Sequence, residues 1–175
     1  MRRGLFWIMR VAGLSAILVA SSYYHSEASC ERGYHLFSIE RSKNKNLLYY
    51  DVCVERNGDL PDLNPLNIYW ILENGKREEL NEIERIYAYG ITMQENLERN
   101  KLRISLAAFN KEKITIEKVD EKYRAVTSID NRQIIIEKVY IHSVDRLFGM
   151  PDVLSVDIYG FTKQDNVPTK KRISP

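Results

Sequence analysis

Cysteine, proline and glycine are all scarce in this chain, with 2, 5 and 8 copies among 175 residues. So few cysteines exclude a disulfide-dense scaffold, and so little glycine and proline exclude a collagen-like or low-complexity chain. An excess of charge of one sign is missing too. There are 26 Lys+Arg against 24 Asp+Glu, and the first 28 residues hold Arg2, Arg3 and Arg10 against Glu27 alone. The remainder of the chain is therefore formally neutral, which excludes the basic field that nucleic-acid binders need to neutralise phosphates. No uninterrupted apolar run reaches the about 20 residues of a membrane-spanning helix. Familiar catalytic signatures are absent as well: no G-x-S-x-G, P-loop, H-E-x-x-H, dinucleotide glycine pattern or EF-hand loop occurs.

What is present begins with a leader. Residues 1–28 read as a secretory signal: arginines, then the uncharged run Val11–Ala20, then small residues at Ser26 and Ala28 before a cut at Ser29. The expectation is Sec-type export to the periplasm or the exterior. An uncleaved leader anchoring the chain in the membrane is the alternative. In an oxidising compartment Cys30 and Cys53 read as one disulfide, closing a loop of about 24 residues and contributing roughly 3.5 kcal/mol by chain entropy. A lipidated Cys30 is the competing reading, and Glu27 stands where a lipoprotein signal carries an apolar residue. No C-x-x-C or H-x-x-x-H spacing points to a metal, and no cofactor is expected.

Beyond the leader the dominant signal is apolar alternation at period two, the mark of half-buried strands. It runs through Tyr34–Glu40, Leu47–Glu55, Asn67–Glu73, Lys101–Leu106, Ile114–Val119, Tyr123–Ile129, Gln133–Val144 and Val153–Phe161. The run 133–144 is long enough to bend or to divide between two sheets. Glu78–Tyr87 is the one helical pattern, with Leu80, Ile83 and Tyr87 on one face and Gly90 as its stop. The expectation is a mainly β protein, an antiparallel sandwich or barrel of about eight strands with one short helix. Residues 29–162 would form this single domain, and 163–175, which lose all periodicity, a frayed tail.

Two groups of residues could carry chemistry. The connection Arg41-Ser42-Lys43-Asn44-Lys45-Asn46 offers cations, a hydroxyl and amides able to hold a phosphate or carboxylate. The same residue types are also those that polar turns prefer. Tyr49, Tyr50, Tyr69, Trp70, Tyr87 and Tyr89 could wall a ligand pocket, although adjacent rings on a strand face opposite sides of the sheet. His35 and His142 could converge with Asp51 or Asp157 on a metal, but nothing in their spacing requires it.

Phe37-Ser38-Ile39-Glu40-Arg41-Ser42-Lys43-Asn44-Lys45-Asn46 followed by Tyr50-Asp51-Val52 resembles the opening signature of a bacterial exported family, domain of unknown function 4833. Asn64-Pro65 leading to Tyr69-Trp70, and Ala88-Tyr89-Gly90, are similar to that family's pattern. The likeness spans Leu36 to Phe161. It implies export followed by one β-rich domain, and it adds weight to the Arg41–Asn46 turn and the Tyr69–Gly90 aromatics forming one site. The family supplies no catalytic residues to carry over.

The leading expectation is a non-enzymatic exported domain that binds an anionic ligand or an envelope partner protein. Its ligand-binding residues would be Arg41, Ser42, Lys43, Asn44, Lys45, Tyr69, Trp70 and Tyr89. A hydrolase using Glu40 and Asp51 as paired carboxylates is the alternative. A structural envelope subunit pairing through a strand edge is the third reading.

Overall fold

The computed structural model describes residues 32–174 apart from 63, 108 and 146–150. The strands follow the alternation in the sequence. They are β1 (Arg32–Arg41), β2 (Asn44–Val54), β3 (Leu66–Ile71), β4 (Arg77–Glu79), β5 (Ile91–Glu98), β6 (Lys101–Leu106), β7 (Phe109–Val119), β8 (Lys122–Ile129), β9 (Arg132–Asp145), β10 (Pro151–Thr162) and β11 (Pro168–Ile173). One helix, α1 (Glu82–Tyr87), lies between β4 and β5. Among the described residues the protein is thus mainly β with a single short helix, but with eleven strands where about eight were expected.

The three additional strands are those with least apolar alternation. All three residues of β4 are exposed and charged, and β5 pairs with β6 through a largely polar sequence. The third, β11, occupies the segment read as a frayed tail. Its residues pair with β10 from Val156–Ile173 to Phe161–Pro168, and Ile173 packs against the core.

The strands form one hydrogen-bonded sheet that curls around a single core and leaves β4 and β5 as open ends of its path. Every pairing is antiparallel except that of β1 with β9. The long strand β9 organises the whole. One edge pairs with β8 over Arg132–Ile135 and then with β1 over Lys138–Ile141, while the opposite edge pairs with β10 throughout. Two wings, β1–β2–β3–β4 and β8–β7–β6–β5, therefore diverge from one strand like the tines of a fork. The exchange of neighbours falls at a bulge opposite Tyr159–Gly160, and bulges bend and twist a strand. Gly160 is required there, because a Cβ would lie 1.8 Å from the Ile135 carbonyl oxygen.

Side chains from both wings meet between the tines. Phe37, Leu48, Tyr50, Ile68 and Trp70 come from the first, and Leu102, Ile104, Ile114, Ile116 and Ala125 from the second. Phe37 stacks on Tyr50 at 4.5 Å and 10°. Such buried aromatic area dominates core energetics. Two-residue turns set the registers of the second wing. Asp120-Glu121 and Asp130-Asn131 all have positive φ, between 50 and 63°, the left-handed pair that matches strand twist in a tight hairpin.

The helix differs from its expected role. Leu80 is buried but precedes α1, and Ile83 and Tyr87, assigned to the apolar face, are 72% and 74% exposed. At six residues α1 is held by its ends. Asn81 accepts from the Glu84 amide at 2.9 Å, while the Glu84 carboxylate accepts from the Asn81 amide at 3.1 Å. This reciprocal cap satisfies donors that a helix start otherwise leaves unpaired.

Candidate functional site

The connection expected to run from Arg41 to Asn46 is much tighter. Arg41 pairs with Asn44, so only Ser42 and Lys43 form the turn and both strands continue to the tip. Several of the candidate residues serve the backbone. Ser42 donates from its hydroxyl to the Ser143 carbonyl at 2.8 Å and accepts from the Ser143 amide at 3.0 Å, tying the tip to β9. Asn44 accepts from the Asn46 amide at 3.2 Å, and the Lys45 amide donates to Glu73 at 2.9 Å. For Ser42 and Asn44 the turn-forming reading therefore accounts for the residue. The side of the tip is a shallow cavity of about 520 Å³, lined by Glu40 to Leu47 with Glu73 and Tyr140.

Arg41 is different. It follows Ile39 on the inward face of β1, and its guanidinium lies 4.5 Å above the Trp70 ring. It donates to the Tyr89 hydroxyl at 2.9 Å. Trp70 and Tyr89 meet edge to face at 5.2 Å, so the three side chains form one box at the rim of the core. Among the described residues no carboxylate pairs with Arg41, and its Nε is buried without an acceptor. A buried donor left unsatisfied costs about 1–3 kcal/mol, so such a group calls for an explanation.

Tyr89 reaches this box because of the chain around it. The Tyr50 hydroxyl donates to the Tyr89 carbonyl at 2.6 Å, and burial pushes the Tyr50 phenol well above its usual range. Gly90 packs so closely on the end of α1 that a Cβ would lie 1.8 Å from the Arg85 carbonyl oxygen. That contact fits the helix-stop reading of Gly90. Beneath Tyr89 lies a second, apolar cavity of about 70 Å³ in the fork, with Ile39, Ile136, Val139, Ile141 and Ile158 among its walls.

Of the expected site residues, Arg41, Trp70 and Tyr89 thus converge, while Lys43 and Lys45 flank them at the tip cavity. Tyr69 does not join them. It points to the other face of β3 and donates to Asp51 at 2.6 Å, while Arg77 covers its ring at 3.8 Å. Burial and the Asp51 hydrogen bond raise the Tyr69 phenol to about 12.

The two histidines do not converge either. His35 bonds Asp51 at 2.8 Å on the outer face of β1–β2, and His142 bonds Asp157 at 2.9 Å on the outer face of β9–β10. No group of three metal-ligating side chains exists among the described residues. Burial pushes the Asp51 carboxyl up, but the hydrogen bonds from His35 and Tyr69 outweigh it and hold it below the usual range. Glu40 and Asp51, the candidate carboxylate pair, stand apart. Glu40 bonds Lys138 at 3.4 Å, whereas Asp51 lies opposite His35, five positions or about 16 Å further along β1.

The sequence reading paired His142 with Asp157 but missed the cations that complete a cluster around this acid, whose side chain is only 1% exposed. Arg172 clamps it through Nε at 2.6 Å and a terminal nitrogen at 2.8 Å, Lys170 lies at 3.0 Å, and His142 completes the ring. The Arg172 hydrogen bonds, ahead of the others, hold the Asp157 carboxyl far below the usual carboxylate range against the opposing effect of burial. The signal was an acid amid the apolar run Val153–Phe161, which demands a cation partner. That cation came from the segment read as frayed.

These features define a mainly β domain in which Arg41 packs on Trp70 and Tyr89 at the rim of the core, beside the cavity at the tip of β1–β2. The family model for a domain of unknown function (DUF4833) matches residues 37–172, and the chain belongs to that family. No curated protein and no solved structure matches the chain.

Proposed function

We propose that this protein is a non-catalytic binding domain that captures an anionic group at Arg41. The observation that supports the reading is the guanidinium itself, stacked on Trp70 and bonded to Tyr89, with no acid partner among the described residues and a buried Nε that no acceptor satisfies. A carboxylate or phosphate fits this arrangement, because the guanidinium fork matches two oxygens at once and the strength of each bond rises away from water. Lys43 and Lys45 add positive charge along the approach.

In this reading the leader at 1–28 exports the domain to the periplasm or the exterior, and Cys53, buried at the end of β2, pairs with Cys30. Cys30 lies outside the described residues. The diverging wings act as the two layers of an open sandwich, with the binding pocket at one end between them.

Thermal unfolding of the full chain against inorganic phosphate, acetate, sugar phosphates and nucleotides tests the proposal. A ligand at 100 times its dissociation constant adds about 2.7 kcal/mol, a rise of several degrees. The rise is expected in the wild type and absent in Arg41→Ala. A panel without effect, or a rise that survives in Arg41→Ala, overturns the anion site.

A partner-protein surface is the second reading, favoured by Ile83, Ile86 and Tyr87, which stand 72%, 51% and 74% exposed on α1. Sedimentation of the purified chain, alone and with envelope extract, separates it from the first. A clean monomer under both conditions counts against it.

A further inference from the structure

We infer that the anion held at Arg41 carries a short alkyl chain, and that this chain enters the apolar cavity at the fork. The inference rests on the anion-binding reading. Tyr89 joins the two features, because its hydroxyl accepts from Arg41 while the residue lines the cavity. The parallel register reinforces the link. Ile39 lies beside Val139 and Arg41 beside Ile141, and Ile39, Val139 and Ile141 are all cavity walls. The guanidinium therefore stands one inward position beyond the cavity on the same face of the same strand.

The lining chemistry selects an aliphatic guest. Nine of the twelve walls are branched aliphatic side chains, and the two hydroxyls are already engaged, that of Thr127 donating to the Lys113 carbonyl at 3.1 Å and that of Tyr89 accepting from Arg41 at 2.9 Å. Nothing there would orient a sugar or a nucleobase. At about 70 Å³ the space is roughly half that of an engineered apolar cavity known to take benzene, so it accepts a few carbons. Val153 lines the cavity and is 39% exposed, which marks the opening to solvent. A bare inorganic anion would use Arg41 alone. An alkyl carboxylate or alkyl phosphate uses the charge and the cavity together.

Calorimetric titration of the full chain with acetate, butyrate, hexanoate and octanoate, and with inorganic phosphate and butyl phosphate, tests this. Each buried methylene is expected to tighten binding about fourfold, with a plateau after the first few carbons. The tighter of the two series identifies the head group. Val153→Trp, which plugs the opening, should flatten both series while leaving acetate and phosphate binding intact. Leu154→Trp serves as the control, since Leu154 is 53% exposed and is not a cavity wall. Arg41-dependent binding without any gain from chain length overturns the inference and leaves the anion site standing. Loss of binding to every anion removes both. A gain that persists in Val153→Trp places the chain elsewhere and also overturns it. Should a tryptophan variant fail to fold, nuclear Overhauser contacts from octanoate to the methyls of Ile39, Ile136 and Ile141 in the wild type decide the matter, and their absence refutes the cavity.

Discussion

Arg41 and Arg172 sit in opposite electrostatic circumstances. Arg172 grips a fully buried carboxylate through two nitrogens, and Lys170 and His142 crowd the same acid, so three basic side chains serve one charge. Arg41 faces a tryptophan and a tyrosine and has no acid at all among the described residues. The first arrangement locks β11 to β10 and β9. It has little left to offer a ligand, because its hydrogen-bonding capacity at Asp157 is already used. The second leaves a charge available at the rim of the core. The difference separates a region whose charges are paired with one another from one whose charge has no acid partner among the described residues, and it does so more sharply than the number of charges in either.

The largest expected effect tests the cohesive side. Asp157→Ala leaves Arg172, Lys170 and His142 facing one another, and the melting temperature should fall by roughly 10 °C, since breaking a buried ion cluster is strongly destabilising. Because the folded-state pKa of Asp157 lies below the unfolded value of 3.8, its contribution is fully present above that pH and fades as pH falls below it. Acid unfolding curves should steepen below pH 3.8 in the wild type and lose that component in the variant. Gly90→Ala comes next, with a cost of about 2–4 kcal/mol from the forced contact with Arg85 and a matching loss of anion response as Tyr89 shifts.

Arg172→Ala and Arg41→Ala form the direct contrast. The former should lower the melting temperature by several degrees, and the latter by no more than about one or two while abolishing the anion-induced rise. Equal losses of stability would collapse the distinction. The smallest effect belongs to Tyr69→Phe, about 1 kcal/mol for the lost hydrogen bond to Asp51. With its phenol raised to about 12, Tyr69 contributes stability below pH 10 that is lost as pH climbs toward 12, and the phenylalanine variant should show a flatter alkaline limb.

Strand alternation carried most of the fold into view, because the apolar face of each central strand packs on the core, but β9, long enough to bend or to divide between two sheets, stays in one sheet and exchanges β8 for β1 along one edge. Alternation failed at β4, β5 and β11, where pairing depends on a neighbouring edge rather than on an apolar face. In β11 the inward rhythm is carried by Thr169, Lys171 and Ile173, so two polar side chains hide the pattern. The helix misled for a related reason. The pattern was started at Glu78, ahead of the Asn81 cap, and the apolar spacing of Ile83 and Tyr87 suggested burial that a six-residue element at the edge does not provide. Arg41, Trp70 and Tyr89 were each legible as candidates. That Tyr69 turns away follows from strand pleating, whereas the isolation of Arg41 from any acid among the described residues depends on distant elements and has no local signature.

The parallel pairing of β1 with β9 joins residues about a hundred positions apart, Ser38 with Lys138 among them. A chain synthesised from its N-terminus can fold β1 to β4 as a local meander long before β9 exists. Until then one edge of β1 stays open, an invitation to pair with another chain. Because the entropy of closing so long a loop must be met before its contacts form, zipping the fork is expected to be the slow event of folding. The same event closes the apolar cavity of the fork and brings Ile141 beside Arg41, since both need β9 docked. The surroundings of Arg41 and the completion of the fold therefore arrive together, and a half-made chain holds neither.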